Sequence, residues 1–361
     1  MTDYRSMIGS ILDGRYLLIS IIGRGGSAVV FNAFDRHEET TVAIKLLNES
    51  NVPASERATV RKQFANEVRA LSLLSHPNIV GFRGANLKSR PMYFVMEYAD
   101  GLTLKEHLNR KKVIPQKEII DIADQILSAL SHMHAQGVVH CDIKPHNIII
   151  LPNKKIKITD FGIAQVKGKA PELPSDKAVG TVYYVSPEQA QGKPLDHRSD
   201  IYSLGIMLYE ISSGKLPFYH EDPDRIAEMH TLAPPQRPRN INPDISKGLE
   251  QIILKAIAKK PHLRFKNADD MAVYLDILRK NPRSVFRLQE RNPNDIAPIP
   301  QKSSRRFIPL LISAGVVVAA IIAAFSLTSK DSCQDNDSFD TISLKQENAI
   351  VEYYDITNGE K

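Results

Sequence analysis

The sequence predicts an α+β chain of two lobes, strand-rich and then helical, followed by one apolar helix near the C-terminal end. Three observations predict it. Short β-branched or aromatic runs occur at Val42–Leu47, Met92–Glu97 and Ile156–Thr159. Apolar residues recur at helical spacing between Glu118 and Ala135, and the stretch Phe307–Leu327 carries no charge. With 361 residues, 42% of them hydrophobic and 24% charged, the composition excludes disordered, collagen-like and low-complexity classes. Cys141 and Cys333 are too few for a disulfide framework. The net charge of +6 is a mild excess, and with no basic helix or aromatic platform behind it no nucleic-acid partner is expected. The expected divisions are an N-terminal extension (1–15), a bilobal domain (16–280), a basic linker (281–306), a membrane helix (307–327) and a short acidic tail (328–361).

The first chemical signal is Gly23-Arg24-Gly25-Gly26-Ser27-Ala28-Val29-Val30. Its glycines remove side chains, so that backbone N–H groups can approach phosphate oxygens. Val-Ala-Ile-Lys then places Lys45 on the inner face of the next strand, where its charge can neutralise phosphate if an acid holds it in place. The acid is available. Ser55–Leu74 has helical periodicity, with Phe64, Val68, Leu71 and Leu74 on one side and Glu67 beside that face, able to point at the strand.

The helix over Glu118–Ala135 is amphipathic through Ile119, Ile122, Ala123, Ile126, Leu127, Leu130 and Met133. His140-Cys141-Asp142-Ile143-Lys144-Pro145-His146-Asn147 follows it, and after a hairpin turn at Pro152-Asn153 comes Asp160-Phe161-Gly162. The carboxylate Asp142, the amide Asn147 five residues later and the second carboxylate Asp160 thirteen beyond it make a pair of hard oxygen ligands for Mg²⁺ plus one free acid near a substrate hydroxyl. Ile201–Ile211 is apolar on most sides and predicts a helix buried at the centre of the second lobe.

The 21 residues Phe307–Leu327 span about 30 Å as a helix, the thickness of a bilayer's hydrocarbon core. Nothing resembling a signal peptide stands at the N-terminus. Residues 281–306 hold six Lys/Arg against Glu290 and Asp295, whereas residues 328–361 hold three lysines against eight acids. The positive-inside rule then makes this a single-pass membrane protein whose large N-terminal region is cytoplasmic, with the tail on the opposite side. Gly315, Ala319 and Ala323 recur every four residues, a spacing that suits helix self-association. The 34-residue tail is too short for a large sensor repeat, and Cys333 is placed for an intermolecular disulfide if its compartment is oxidising.

These motifs, in this order, make residues 16–280 resemble a protein serine/threonine kinase, and with the helix at 307–327 the chain resembles the bacterial membrane-anchored, eukaryotic-like class. The resemblance implies a bilobal protein kinase fold with an antiparallel sheet and one helix in the first lobe. It also implies ATP and Mg²⁺ as cofactors, proteins with Ser/Thr hydroxyls as substrates, and self-association with autophosphorylation. By this match Ile22 and the loop Gly23–Val30 cover the nucleotide, and Lys45, paired with Glu67, binds the α/β-phosphates. Val30 and Ala43 line the adenine pocket, Met96 is the gatekeeper, and Glu97 and Ala99 offer backbone bonds to adenine. Asp142 orients the hydroxyl and takes its proton, Lys144 contacts the γ-phosphate, and Asn147 with Asp160 holds Mg²⁺. Gly180-Thr181 and Ser186-Pro187-Glu188 resemble the end of an activation segment. Glu188 should pair with Arg264, and Asp200 should bond the catalytic-loop backbone.

One departure concerns regulation. Family members governed by activation-segment phosphorylation carry Arg before the catalytic Asp, and here that residue is Cys141. A thiol cannot pair with a phosphate dianion. Between Gly162 and Gly180 the only hydroxyl residue is Ser175. Activity is therefore expected to depend on lobe closure or dimerisation. A second reading is a membrane-tethered pseudokinase scaffold that binds nucleotide and recruits partners. Intact Lys45, Asp142, Asn147 and Asp160 argue against it, since a scaffold needs none of them.

Overall fold

One nine-residue strand and two eight-residue strands build the centre of the first lobe. The computed structural model describes residues 4–50, 52–111, 113–161, 165–166 and 182–286, all within the unit Met1–Asp295. The expected membrane helix 307–327, the part of the expected linker 281–306 from residue 287 on, and the tail 328–361, with Gly315, Ala319, Ala323 and Cys333, lie outside the described residues. So do Gly162, Ser175, Gly180 and Thr181. Among the described residues no helix is long and apolar enough to cross a membrane.

Strands β1 (Ile11–Leu12), β2 (Tyr16–Arg24), β3 (Ala28–Asp35), β4 (Thr40–Leu47), β5 (Phe82–Asn86) and β6 (Tyr93–Glu97) form one antiparallel sheet in the order β1-β2-β3-β4-β6-β5. Register sorts the side chains. Val30 lies opposite Lys45, Asn32 opposite Ala43, and Ala43 in turn opposite Met96. That face meets helix α1 (Arg57–Ser72) through Phe64, Val68 and Leu71, with Phe64 and Phe94 rings 5.3 Å apart. The opposite face carries Val29, Phe31, Ile44, Leu46 and Val95, over which Tyr4, Met7 and Leu12 pack.

The second lobe begins with β7 (Leu102–Thr103), α2 (Leu104–Lys111) and α3 (Gln116–Ala135), two residues longer at its start than the periodicity marks. Strands β8 (Val138–Val139), β9 (Ile148–Ile150), β10 (Ile156–Ile158) and β11 (Gln165–Val166) carry the segment between them; β9 and β10 form the expected hairpin. Then come α4 (Pro187–Ala190), α5 (Arg198–Ser213), α6 (Pro223–Leu232), α7 (Lys247–Ala256) and α8 (Ala268–Lys280). Helix α5 is buried from Ser199 to Ser213, as its sequence predicts. Its Gly205 passes so close to α7 that an added Cβ would stand 2.7 Å from Ala256 and Ile257, which fixes a glycine there. Ile126 and Leu130 of α3 are wholly buried in the same core, each contributing about 2–3 kcal/mol of apolar burial.

Candidate active site

The cleft between the lobes collects the residues singled out in the sequence. Ile22, Gly23 and Arg24 end β2; Gly25, Gly26 and Ser27 form the turn; Ala28, Val29 and Val30 open β3. The turn is closed by the Gly25 N–H donating to the Ala28 carbonyl at 2.8 Å, and Gly26 faces open space. Ile22 is exposed, while Val30 and Ala43 sit on the same face as Lys45. Met96 is buried beside Ala43 at the end of the sheet. Ala99 packs on the core, and Glu97 sends its carboxylate back into the lobe, accepting from Lys157 at 2.7 Å and from the Gly81 N–H at 3.0 Å.

Lys45 bridges both lobes. Its Nζ donates to Glu67 Oε1 at 2.6 Å and to Asp160 Oδ1 at 2.7 Å. Burial works to deprotonate this lysine, but the two carboxylates outweigh it, so its pKa is raised above the ordinary value. Asp160 shows the reverse effect. Beside the Lys45 charge its carboxyl is held down to about 2 despite burial around it, and its side chain remains 47% accessible from the cleft. Glu67 is buried on α1, and the Phe161 backbone N–H also reaches it, so the Asp160-Phe161 pair is tied to the helix as well as to the lysine.

Deeper in the second lobe, Asp142 Oδ2 accepts from Lys144 Nζ at 2.7 Å and from Asn147 Nδ2 at 3.0 Å. Asp142 Oδ1 is buried and has no hydrogen-bond partner among the described residues. An ionised carboxylate oxygen left so is costly unless a donor from outside completes it. Burial raises the Asp142 pKa, with Lys144 opposing the rise, and a more basic carboxylate is a better proton acceptor. Asn147 turns its amide nitrogen to the Asp142 carbonyl and carboxylate, which makes Oδ1 the atom of this side chain that could hold a metal. One accessible carboxylate and one amide oxygen are hard donors of the kind Mg²⁺ takes alongside phosphate and water, and among the described residues no cluster of three or more His, Cys, Asp or Glu offers a protein-only metal cage.

The loop that holds Asp142 is strained. Cys141 has φ 65°, and Asp160 has φ 64°. Asp200, wholly buried in the first turn of α5, accepts from the backbone N–H groups of His140 at 3.0 Å and Cys141 at 2.8 Å. His134 supplies a third bond to Asp200 at 2.8 Å, and Gln189 Nε2 donates to the Cys141 carbonyl at 2.8 Å. Burial opposes ionisation of Asp200, but these donors outweigh it and hold the carboxyl below its ordinary range. The Cys141 thiol is buried and turned to the Val139 carbonyl, 3.6 Å away. Glu188 and Arg264 form the expected buried pair, bidentate at 2.6 and 2.8 Å. Sequence reasoning missed His134 and Gln189, which stand 66 and 48 residues from their partners and carry no local spacing signal.

The family model for the protein kinase domain matches residues 16–272. Among curated proteins, a probable serine/threonine-protein kinase of Clostridium acetobutylicum is 40% identical over 275 residues, 76% of this chain and 41% of that protein. Serine/threonine-protein kinase PrkC of Bacillus subtilis is 40% identical over 265 residues, 73% of this chain and 40% of its own length. PknB of Mycobacterium leprae is 36% identical over 273 residues. The chain thus spans about two fifths of the length of these three curated relatives. Family match and cleft geometry agree, and the chain belongs to the protein kinase family, alongside the bacterial eukaryotic-like serine/threonine kinases.

Proposed function

We propose that this chain is an ATP- and Mg²⁺-dependent kinase that transfers the γ-phosphate to Ser/Thr hydroxyls of proteins. The observation that carries the reading is the buried, unpartnered Asp142 Oδ1 beside Lys144 and Asn147. That oxygen accepts the hydrogen bond of an incoming hydroxyl, aims its oxygen at phosphorus and takes its proton as the new P–O bond forms and ADP leaves. Lys144 donates to Asp142 at 2.7 Å and in this reading contacts the transferred phosphoryl group. Lys45, held by Glu67, neutralises the α/β-phosphates, and the loop Gly23–Val30 closes over them with backbone N–H groups. Val30, Ala43 and Met96 form the apolar slot for adenine, whose polar edge meets the backbone of Glu97 and Ala99. Asn147 and Asp160 would hold Mg²⁺, which would supply charge neutralisation on the phosphates.

The domain divisions of the sequence extend the proposal: a cytoplasmic kinase domain tethered by a helix at 307–327, with a short tail across the membrane. Cys141 puts no cation where a phosphorylated activation segment would dock, so control lies in lobe closure or dimerisation, with autophosphorylation as a readout of contact between copies. The test is phosphate transfer from radiolabelled ATP by the full chain in lipid nanodiscs. Label on Ser/Thr that vanishes in Asp142→Asn and Lys45→Met supports the kinase; ATP binding without transfer in this setting sinks it. Comparable activity of phosphatase-treated wild type and Ser175→Ala supports the regulatory part. Protease protection of the tail, but not of the kinase domain, in sealed inside-out vesicles checks the orientation.

A further inference from the structure

Glu97 ends β6 at the point where the chain leaves the first lobe, and residues 98–101 beyond it form neither strand nor helix. Its N–H donates to the Gly81 carbonyl at 2.8 Å, and its Oε2 accepts from the Gly81 N–H at 3.0 Å. The same oxygen accepts from Lys157 Nζ at 2.7 Å. Lys157 is the middle residue of β10, in the second lobe, and its Nζ also donates to the Ile79 carbonyl at 3.2 Å. One ammonium thus joins the exit of the sheet, the loop before β5 and the strand that leads to Asp160, three residues on.

The frame behind this lysine is bonded on both sides of it in sequence. The Ile158 N–H donates to the Asn78 carbonyl at 2.8 Å, the Val80 N–H to the Ile158 carbonyl at 3.0 Å, and Asn78 Nδ2 to the Ile156 carbonyl at 3.0 Å. The Thr159 N–H donates to the Asn147 carbonyl at 3.0 Å, which joins the same strand to the catalytic loop. The Lys157 side chain is 13% accessible, so its bonds are largely shielded from water. One cation and one carboxylate cancel, so the pair adds no net charge at the cleft, and what it supplies is direction. In the proposed pocket the backbone of Glu97 and Ala99 meets the polar edge of adenine, and such bonds hold a ligand well only when the peptide groups are fixed beforehand. Without Lys157 the Glu97 carboxylate keeps the Gly81 N–H but loses its bond to the second lobe.

Resting on the proposed ATP-binding reading, we infer that Lys157 is a positioning residue for the nucleotide base: by tying the Glu97 carboxylate to β10 it sets the backbone of residues 97–99 against adenine and keeps it in register with Asp160. It orients the base through Glu97 and takes no part in the transfer itself.

The test uses the full chain in nanodiscs and measures by calorimetry, with Mg²⁺, the affinity for ATP, for adenosine, which carries the base and no phosphate, and for inorganic tripolyphosphate, which carries no base. Lys157→Met should weaken ATP and adenosine by the same factor, about fivefold to tenfold, and leave tripolyphosphate within about twofold of wild type. In transfer assays KM for ATP should rise by that factor while kcat changes by less than about twofold. Glu97→Gln, which keeps the side-chain shape, should show the same pattern in smaller size, and the double variant should match Lys157→Met, because the two residues act as one unit. Glu97→Gln alone decides the matter if Lys157→Met fails to fold. Equal weakening of all three ligands is the mark of a general structural role and overturns the inference. So does unchanged adenosine affinity, a faster enzyme, or losses that add in the double variant. Wild type that binds ATP but transfers nothing overturns the kinase reading, while the binding pattern still decides the role of Lys157; wild type that binds neither ATP nor adenosine overturns both.

Discussion

Asp200 Oδ1 accepts the backbone N–H of Cys141 at 2.8 Å, so the residue that holds the strained turn before Asp142 lies 59 residues away on another element. The left-handed conformation of Cys141, a β-carbon-bearing residue at φ 65°, costs of order 1 kcal/mol. It persists because Asp200, bonded by His134 as well, takes two successive N–H groups of the turn, and Gln189 takes the carbonyl. The result is a fixed direction for the Asp142 side chain.

Asp200→Ala should therefore lower kcat by about a hundredfold or more with a smaller change in KM for ATP, because misplacing a reacting group is severe while the nucleotide contacts lie elsewhere. Hydrogen exchange should report faster exchange of the His140 and Cys141 amides in the variant. Unchanged exchange at both amides would refute the clamp.

Lys45→Met removes the cation from two carboxylates at once. Glu67 is 4% exposed and is left as an uncompensated buried acid, which destabilises by about 3 kcal/mol. Transfer should be lost, and Lys45→Met with Glu67→Gln should recover much of the Tm without recovering activity. That split separates the structural share of the pair from its work on phosphate.

The strands at 42–47, 92–97 and 156–159 and the helices at 118–135 and 201–211 were legible because their signals are local: residue type, alternation and three- or four-residue steps. Lys45, Glu67, Asp142, Asn147 and Asp160 were legible for a different reason: Lys45 meets partners 22 and 115 residues away, and only the ordered motifs and the kinase resemblance they carry brought these residues together. The bonds from His134 to Asp200 and from Lys105 to Glu210 span 66 and 105 residues, and no periodicity points from one partner to the other. Their geometry arises from the packing of α3, α2 and α5, which tertiary contacts alone determine. The later helices did have readable starts, in Asp222 with Pro223, Ser246 and Asn267, whose side chains accept from the first-turn backbone N–H groups.

Arg264→Lys should not substitute for arginine. The guanidinium makes two parallel bonds to Glu188 at 2.6 and 2.8 Å and donates further to the carbonyls of Ala258, Arg198 and Lys259, a set no ammonium can match. The expected loss is about 3 kcal/mol, read as a lower denaturant midpoint with the slope unchanged. ATP affinity of the folded fraction should stay near wild type, because the pair lies under α4 and α5.

Asp35 gives a pH dependence with a defined sign. Arg15 donates to both its oxygens at 2.7 and 2.6 Å, and with the His37 and Glu38 N–H groups this holds the carboxyl down to about 2 against burial. A folded-state value below the unfolded one means its stabilisation is complete above about pH 4 and is lost as pH falls towards 2. Asp35→Asn should lower Tm at pH 7 and flatten the acid limb of the Tm profile between about pH 4 and 2. A variant whose acid limb parallels that of the wild type would show that other carboxylates control acid unfolding.

Asp142→Asn is the most direct probe of the site, because it changes one atom's chemistry with little change in shape. Asn147 Nδ2 and Lys144 Nζ now donate to the Oδ2 side of Asp142. An amide oxygen can keep that position, and the amide nitrogen then falls where Oδ1 was, presenting a donor in place of an acceptor. A substrate hydroxyl there loses both its orientation and its proton acceptor, so kcat should fall by about 10²–10⁴. The nucleotide pocket of Val30, Ala43 and Lys45 is untouched, so the ATP-induced Tm shift should persist. A variant retaining more than about a tenth of wild-type kcat would move the proton acceptor away from Asp142 and leave this carboxylate a structural role.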